Sequence, residues 1–339
     1  MNGKDHFEYK NFTYYLDGGN HKVITAPPTT MPPTIYKYYG NINHNFEAVQ
    51  QSYLYLNHPF EFNDSIDSSE LLLDFSNINF MKFHRFYERF PDVELNIKDL
   101  FERDKKNRFK EIRTYFYLES SKKFGLVSLT TNPLNVLMWS HYSSEDGFMI
   151  ELDGKKLLEN LIPTNKDCKN YCFRPVQYVK QLESIDVFQG NFKSPDIPFL
   201  YMTNVKRKEW DYEEEWRLSV YKTDMEVPLD KMRPGFKKHP GSEPRKAYYP
   251  EDCLERIVLG KYFFNGENCS AINSDGYYKM KPDKTRDFVN YLYEKHNDRL
   301  YMSGELQANK NFNRSVSKIK LHKKNENTFS IEELNEVFS

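Results

Sequence analysis

Strand-like segments, in which apolar runs or period-two alternation are bounded by turn residues, are spread over most of this chain. They fall at 35–40, 53–57, 125–129, 147–152, 176–179, 216–221 and 256–259. Helical spacing of apolar residues at 46–52 and 134–141 separates some of these segments. The pattern predicts an α+β fold with a central mixed or antiparallel sheet.

Residues 68–123 differ from their surroundings, because apolar and aromatic residues recur there at helical spacing beside dense charge. We expect this segment to be a helical insertion in an α+β domain that spans 34–270. Residues 1–33 predict a hairpin followed by a Pro-rich linker. Residues 271–339 predict a basic, helical extension, with helices at 285–296 and 331–338. A Lys- and Pro-rich loop at 223–249 is interpreted as a solvated connection or, alternatively, as a basic lip for an anionic substrate.

The charge balance narrows the class of protein. The chain has 48 basic and 49 acidic residues, which argues against a protein that binds nucleic acid by bulk phosphate neutralisation. Its four cysteines lack the spacing of a zinc site or a disulfide scaffold. The N-terminus is polar and no segment approaches the ~20 apolar residues of a membrane span. We therefore expect a cytoplasmic protein with no metal and no membrane contact.

Four clusters of polar and aromatic residues carry the candidate chemistry. They are Tyr36-Lys37-Tyr38, Phe62-Asn63-Asp64, Ser128-Leu129-Thr130 followed by Trp139-Ser140-His141-Tyr142, and Trp210-Asp211-Tyr212-Glu213-Glu214-Glu215-Trp216-Arg217. Side chains of this kind are costly to bury without partners for their polar atoms. Several such clusters in one domain indicate a shared site and favour an enzyme.

As a set, these clusters resemble the bacterial domain of unknown function family number 2971. That family has a Tyr-Lys-Tyr start, a Phe-Asn-Asp turn, a Trp-Ser-His-Tyr block and a Trp-x-Tyr-Glu-x-Glu-Trp-Arg block, and the likeness covers about residues 34–262. The chain departs from the family pattern at Ser65-Ile66, where Pro-Phe is usual, and at Ser144-Glu145-Asp146, which lacks a usual His. The family description itself implies no reaction.

The order of the segments is also similar to that of ADP-ribosyltransferases, especially those that act on nucleic acids. This more distant likeness implies a split central sheet and NAD as co-substrate, without a Gly-rich phosphate motif. It also implies a nucleic-acid or protein acceptor, as in a toxin or an antiphage-defence effector. Glu213-x-Glu215 resembles the paired acidic motif of some members.

The likeness implies a role for each candidate residue. Glu215 would stabilise the oxocarbenium-like centre formed when the nicotinamide–ribose bond breaks, and Glu213, on the same strand face, would activate the acceptor. His141 is the third catalytic candidate and a phosphate ligand. The expected cofactor-binding residues are Tyr36, Tyr38 and Trp139 for ring stacking, Lys37 and Arg217 for phosphates, and Asn63, Asp64, Ser128 and Tyr142.

Structural explanations remain open for these residues. Glu215 and Arg217 also fit an ion-pair ladder, Trp139 a core position, and Asn63 and Asp64 a turn or a helix cap. Tyr36 and Tyr38 should face one side of a strand and Lys37 the other, so one pocket cannot easily use all three. Two other functions compete: a hydrolase, either a nuclease or an NAD glycohydrolase, and a module that binds a nucleotide or a partner.

Overall fold

The computed structural model describes residues 5–88, 96–188, 192, 194, 196–222, 225, 227, 243–264, 269–272, 276–308 and 311–338. An eleven-stranded mixed sheet dominates it, so the predicted α+β class with a large mixed sheet is confirmed. The centre of the predicted basic loop, at 228–242, lies outside the described residues.

The strands are numbered in chain order. They are β1 (His6–Tyr9), β2 (Phe12–Asp17), β3 (Asn20–Thr25), β4 (Thr34–Tyr39), β5 (Tyr53–Tyr55), β6 (Leu73–Asp74), β7 (Phe124–Thr130), β8 (Phe148–Asp153), β9 (Cys168–Pro175), β10 (Gln177–Val179), β11 (Ile185–Asp186), β12 (Val205–Arg207), β13 (Glu215–Lys222), β14 (Lys246–Tyr248), β15 (Leu254–Leu259), β16 (Cys269–Ile272), β17 (Tyr277–Met280), β18 (Leu300–Ala308), β19 (Asn311–Asn325) and β20 (Thr328–Phe338). The large sheet runs β16-β17-β20-β19-β18-β15-β8-β4-β7-β13-β9, and its only parallel pair among the described strands is β15 with β18.

The helices lie mostly between the strands. They are α1 (Asn43–Gln50), α2 (Phe80–Tyr87), α3 (Ile97–Lys106), α4 (Lys110–Ser121), α5 (Val136–Ser143), α6 (Gly154–Thr164), α7 (Asp196–Met202) and α8 (Lys284–Lys295). Three of them, α2 to α4, form most of the segment that was predicted as a helical insertion. They share a hydrophobic core with α7 and the three-stranded N-terminal sheet.

The C-terminal segment differs from the prediction. Helix α8 lies where the amphipathic pattern placed it, but the predicted helix at 331–338 is wrong, because these residues belong to strand β20. Strands β18, β19 and β20 join the large sheet through β15. His322 on β19 contacts Glu332 on β20 at 2.7 Å, one of the cross-strand pairs of opposite charge that favour a strand here. The segment is therefore an extension of the sheet rather than a helical extension.

The large sheet opens between β4 and β7. Among the described residues, these two strands pair only at Tyr36 and Thr130, whereas β4 pairs with β8 along its whole length. Farther along β7, Asn57 bridges to Leu126 in place of a β4 residue. The strands therefore separate and leave an opening beside β4.

Gly147 fixes the turn that joins α5 to β8, beside the end of β4. A Cβ atom there would lie 2.1 Å from the Tyr39 carbonyl oxygen and 2.9 Å from the Ser143 carbonyl oxygen. Backbone atoms cannot move aside as a flexible side chain can, so only glycine fits between β4 and α5.

Gly147→Ala is therefore expected to lower the free energy of unfolding by about 1–3 kcal/mol, the usual cost of overpacking. Gly40→Ala is the matched control, because nothing lies closer than 3.9 Å to a Cβ atom at that position. Urea unfolding of the two variants checks the prediction. Equal stability of both would show that the turn has room for a side chain.

Candidate functional site

A cavity of about 370 Å³, lined by polar and aromatic residues, lies at the opening between β4 and β7. Nine of the twelve residues predicted from the sequence line it: Tyr36, Lys37, Tyr38, Asn63, Ser128, His141, Tyr142, Glu213 and Glu215. Aromatic rings, amide groups and ionisable groups meet there, as in many binding and active sites. The clusters that are far apart in sequence are thus brought to one place.

Helix α5 supplies one wall of the cavity. Met138, His141 and Tyr142 all line it, because positions three and four apart share a helix face. Asn135 caps the helix by accepting hydrogen bonds from the backbone N–H groups of Leu137 and Met138. The exposed His141 ring contacts the hydroxyl of Tyr212 through Nδ1 at 3.1 Å.

A network of five charged side chains, of which Lys206, Glu213 and Glu215 also line the cavity, extends from it into the core. The Arg217 guanidinium donates to both carboxylate oxygens of Asp67 at 2.9 Å and also to Glu215. Lys206 lies 2.5 Å from Glu213, 3.3 Å from Glu215 and 3.6 Å from Asp67. All five are at most 5% exposed. Three acidic and two basic groups therefore share a site with little solvent contact, and a buried excess of negative charge favours protonation of one carboxylate.

The two glutamates of this network differ in their ionisation. Burial, and then the neighbouring charge of Glu215, raise the pKa of Glu213 despite the contact with Lys206. Burial alone would also raise the pKa of Glu215, but Arg217 and Lys206 outweigh it and lower that pKa to about 2. Glu213 also accepts a hydrogen bond from the Tyr142 hydroxyl. Of the two, Glu213 is thus the carboxyl group that binds a proton more readily, whereas Glu215 stays ionised.

The predicted geometry of the pair was only partly right. Glu213 ends a 3₁₀-helix (Lys208–Glu213) and Glu214 adopts a left-handed conformation with φ of 44°, so the two acids are not alternate residues of one strand. Strand β13 begins at Glu215. The turn nevertheless directs both carboxylates to Lys206, while Glu214 faces Thr131 and Asn132.

Three predicted residues do not line the cavity. Trp139 is fully buried, donates its indole N–H to the Pro133 carbonyl oxygen and packs on Tyr38, so it is a core residue and not a stacking surface. Asp64 accepts a hydrogen bond from the Ile66 backbone N–H, as in a turn. Arg217 is fully buried against Asp67 and Glu215 and is not placed to hold a phosphate.

Lys37 reaches the cavity through the opening in the sheet. Its neighbours Ile35 and Tyr39 belong to the main core on one face of β4, whereas Tyr38 belongs to a smaller core on the other. Because β4 and β7 separate, Lys37 Nζ can donate to the Ser128 carbonyl oxygen of β7 at 3.3 Å. Tyr36, Lys37 and Tyr38 therefore line one cavity together, contrary to the expectation that one pocket could not easily use all three.

Burial lowers the pKa of Lys37 from 10.5 to about 8, against a smaller opposing effect of Glu215. At pH values between these two pKa values, the unfolded chain binds more protons than the folded one. The contribution of Lys37 to stability therefore increases as the pH rises. Below about pH 8 the buried charge is destabilising.

Lys37→Met is therefore expected to raise the free energy of unfolding at neutral pH by about 1–3 kcal/mol. This difference from the wild type should shrink as the pH approaches the pKa of an ordinary lysine, about 10.5. Urea unfolding over this pH range checks the prediction, with the exposed Lys155→Met as control. A variant less stable than the wild type at neutral pH would show that the Lys37 charge is stabilised in the fold.

Sequence reasoning missed two members of the charged network and three further residues of the cavity. Lys206 and Asp67 complete the network, and Asn57, Glu61 and Met138 line the cavity. The only signal for Lys206 was its place at the end of a strongly apolar segment, where a lone lysine needs a buried partner. Asp67 and Asn57 bracket the polar turn after β5 and resemble ordinary turn residues in sequence.

The fold and the cavity define an α+β protein with a polar site at an opening in its sheet. The profile of a family described as "Protein of unknown function (DUF2971)" matches residues 138–218, from α5 into β13, and confirms the predicted similarity to this family. No curated protein and no solved structure matches the chain.

No helix among the described residues is long and apolar enough to cross a membrane. Nor does that part of the chain contain a group of three or more His, Cys, Asp or Glu side chains placed to hold a metal ion.

Proposed function

We propose that this protein is an ADP-ribosyltransferase-like enzyme that cleaves the nicotinamide–ribose bond of NAD, with Glu213 as the acting carboxyl group. The observation that carries the proposal is the position of Glu213: it lines the cavity, its pKa is raised, and it accepts a hydrogen bond from Tyr142. A carboxyl group that lines a cavity and has a raised pKa suits general acid–base chemistry.

In the proposed reaction, the bond between ribose C1′ and the nicotinamide nitrogen breaks in the cavity, and its electron pair leaves with nicotinamide. The oxocarbenium-like ribose is stabilised by nearby negative charge, which the excess of carboxylates supplies. A hydroxyl group of the acceptor, or water, then attacks C1′ while Glu213 takes its proton. The rings of Tyr36, Tyr38, Phe62 and Tyr142 line the cavity beside Glu213 and offer stacking surfaces for nicotinamide.

This proposal changes the role of Glu215. Arg217 and Lys206 already occupy its carboxylate oxygens, and a ribose hydroxyl would have to compete with these charged donors. Glu215 therefore acts as a positioning residue, which holds Lys206 and Arg217 beneath Glu213 and keeps the local charge negative.

A nicotinamide-release assay with the purified protein and NAD tests the proposal. Release without any acceptor would indicate a glycohydrolase, and release that requires added nucleic acid or protein would indicate a transferase. Binding of NAD without release of nicotinamide, both with and without an added acceptor, would favour a nucleotide-binding module. Absence of both binding and release would contradict the proposal.

A further inference from the structure

A second cavity, of about 710 Å³, adjoins the first. The two share five lining residues: Lys37, Tyr38, Asn57, Glu61 and Tyr142. Its other walls come from the end of β4, the following helix α1 and strand β5. Apart from the shared residues, no residue predicted for the site lines this cavity. Its volume is within the range of small-molecule binding sites.

Tyrosine rings form much of the wall of this larger cavity. Tyr39 lies at the end of β4, and Tyr53 and Tyr55 are alternate residues of β5, so their side chains point to the same face of that strand. Ile42 adds an exposed apolar side chain. Such a surface suits a flat, partly polar ring, because every nucleobase has a face that can stack on an aromatic side chain.

The two acidic side chains of the larger cavity are already engaged. Glu47 lies 3.0 Å from Lys246, and Glu61 accepts a hydrogen bond from the His58 backbone N–H at 2.6 Å. Lys37 differs from them: within the described part of the chain, no carboxylate lies within 4.0 Å of its Nζ, which makes a single hydrogen bond to a carbonyl oxygen. A half-buried ammonium group with spare donors and no carboxylate in contact with it is suited to bind an anion.

Asn57 offers a second polar group at the junction of the two cavities. Its backbone N–H and C=O both pair with Leu126, which fixes its position. Its side-chain amide makes no hydrogen bond to any residue that the structure describes. A free amide presents a donor and an acceptor together, the combination that recognises the edge of a nucleobase.

We propose that the larger cavity is a nucleotide-binding subsite, with the base against Tyr55, Asn57 at the base edge and the phosphates at Lys37. The role of this nucleotide rests on the proposed function, since it is either the ADP half of the NAD donor or a nucleotide of the acceptor. Both have the same chemistry, a base joined to phosphate, and competition experiments separate them.

Calorimetric titration with ADP and with adenosine tests the subsite directly. We expect ADP to bind the wild-type protein, and Lys37→Met to weaken ADP binding at least about tenfold, the loss of one charge-assisted phosphate contact. Adenosine lacks phosphate, so its affinity should be unchanged in Lys37→Met and reduced in Asn57→Ala and Tyr55→Ala. Lys155→Met, which removes an exposed lysine of α6, should bind both ligands as the wild type does. Thermal melts show whether each variant is folded.

The outcomes separate the subsite from the reaction. ADP that displaces NAD identifies the donor half, and ADP that binds together with NAD identifies an acceptor nucleotide; both support the subsite. ADP binding without any nicotinamide release would leave the subsite intact and contradict the proposed function. Absence of ADP binding at millimolar concentration would overturn the subsite, as would folded Lys37→Met and Asn57→Ala variants that bind ADP as tightly as the wild type.

Discussion

Arg217→Met is expected to lower the free energy of unfolding by about 3–5 kcal/mol, the usual cost of removing one partner from a buried ion pair. Arg217 is fully buried and holds Asp67 through two hydrogen bonds of 2.9 Å. Without it, Asp67 and Glu215 would remain buried, and Lys206 would be the one cation left in the network of five charged side chains. At least one carboxylate would then have to bind a proton or draw water into the core.

Urea unfolding of the Arg217→Met variant measures this loss. Arg207→Met is the matched control, because Arg207 is exposed at the end of β12 and its loss should change stability by no more than about 0.5 kcal/mol. If the Arg217 variant lost less than about 1 kcal/mol, the network would contribute little net stability, as some buried ion pairs do.

Glu213→Gln is expected to slow nicotinamide release from NAD by about 10²–10⁴-fold, the usual contribution of a general acid or base. Glutamine has nearly the same shape and can still accept the Tyr142 hydrogen bond, but it cannot take a proton from the attacking nucleophile. Affinity for NAD should therefore change little. Lys206 keeps Glu215 and Asp67 as partners, so the variant should remain folded.

Glu214→Gln controls for the change of charge. Its carboxylate is exposed, contacts Thr131 and Asn132, and does not line the cavity. Its nicotinamide release should match that of the wild type. Equal activity of the wild type and the Glu213 variant would remove Glu213 from the chemistry. Equal loss of activity in the Glu213→Gln and Glu214→Gln variants would show that the total negative charge near the cavity matters, and not a proton transfer by Glu213.

The sequence predicted much of the central fold, because short apolar runs between turns identify buried strands. Strands β4, β7 and β8 lie where the pattern placed them. The helix predicted at 331–338 failed for a physical reason: Ile331-Glu332-Glu333-Leu334 suits a helix locally. Pairing with β19 outweighs that local preference, and strand formation depends on such distant contacts.

The set of residues around the cavity was largely predictable, but their roles were not. Polar and aromatic clusters indicated which segments meet. The sequence does not show, however, that Tyr142 faces the cavity whereas Trp139, three positions earlier, lies in the core. The same holds for Glu213 and Glu215. Their ionisation depends on Lys206 and Arg217, and neither spacing nor composition gave the positions of those cations relative to each glutamate.

The central claim is that the cavity at the opening between β4 and β7 binds NAD beside Glu213. Calorimetric titration of the purified wild-type protein with NAD tests it most directly. We expect saturable one-to-one binding of NAD, and the Glu213→Gln variant should retain it. ADP should change the affinity for NAD. No heat of binding with NAD at millimolar concentration, from protein shown to be folded, would contradict the account.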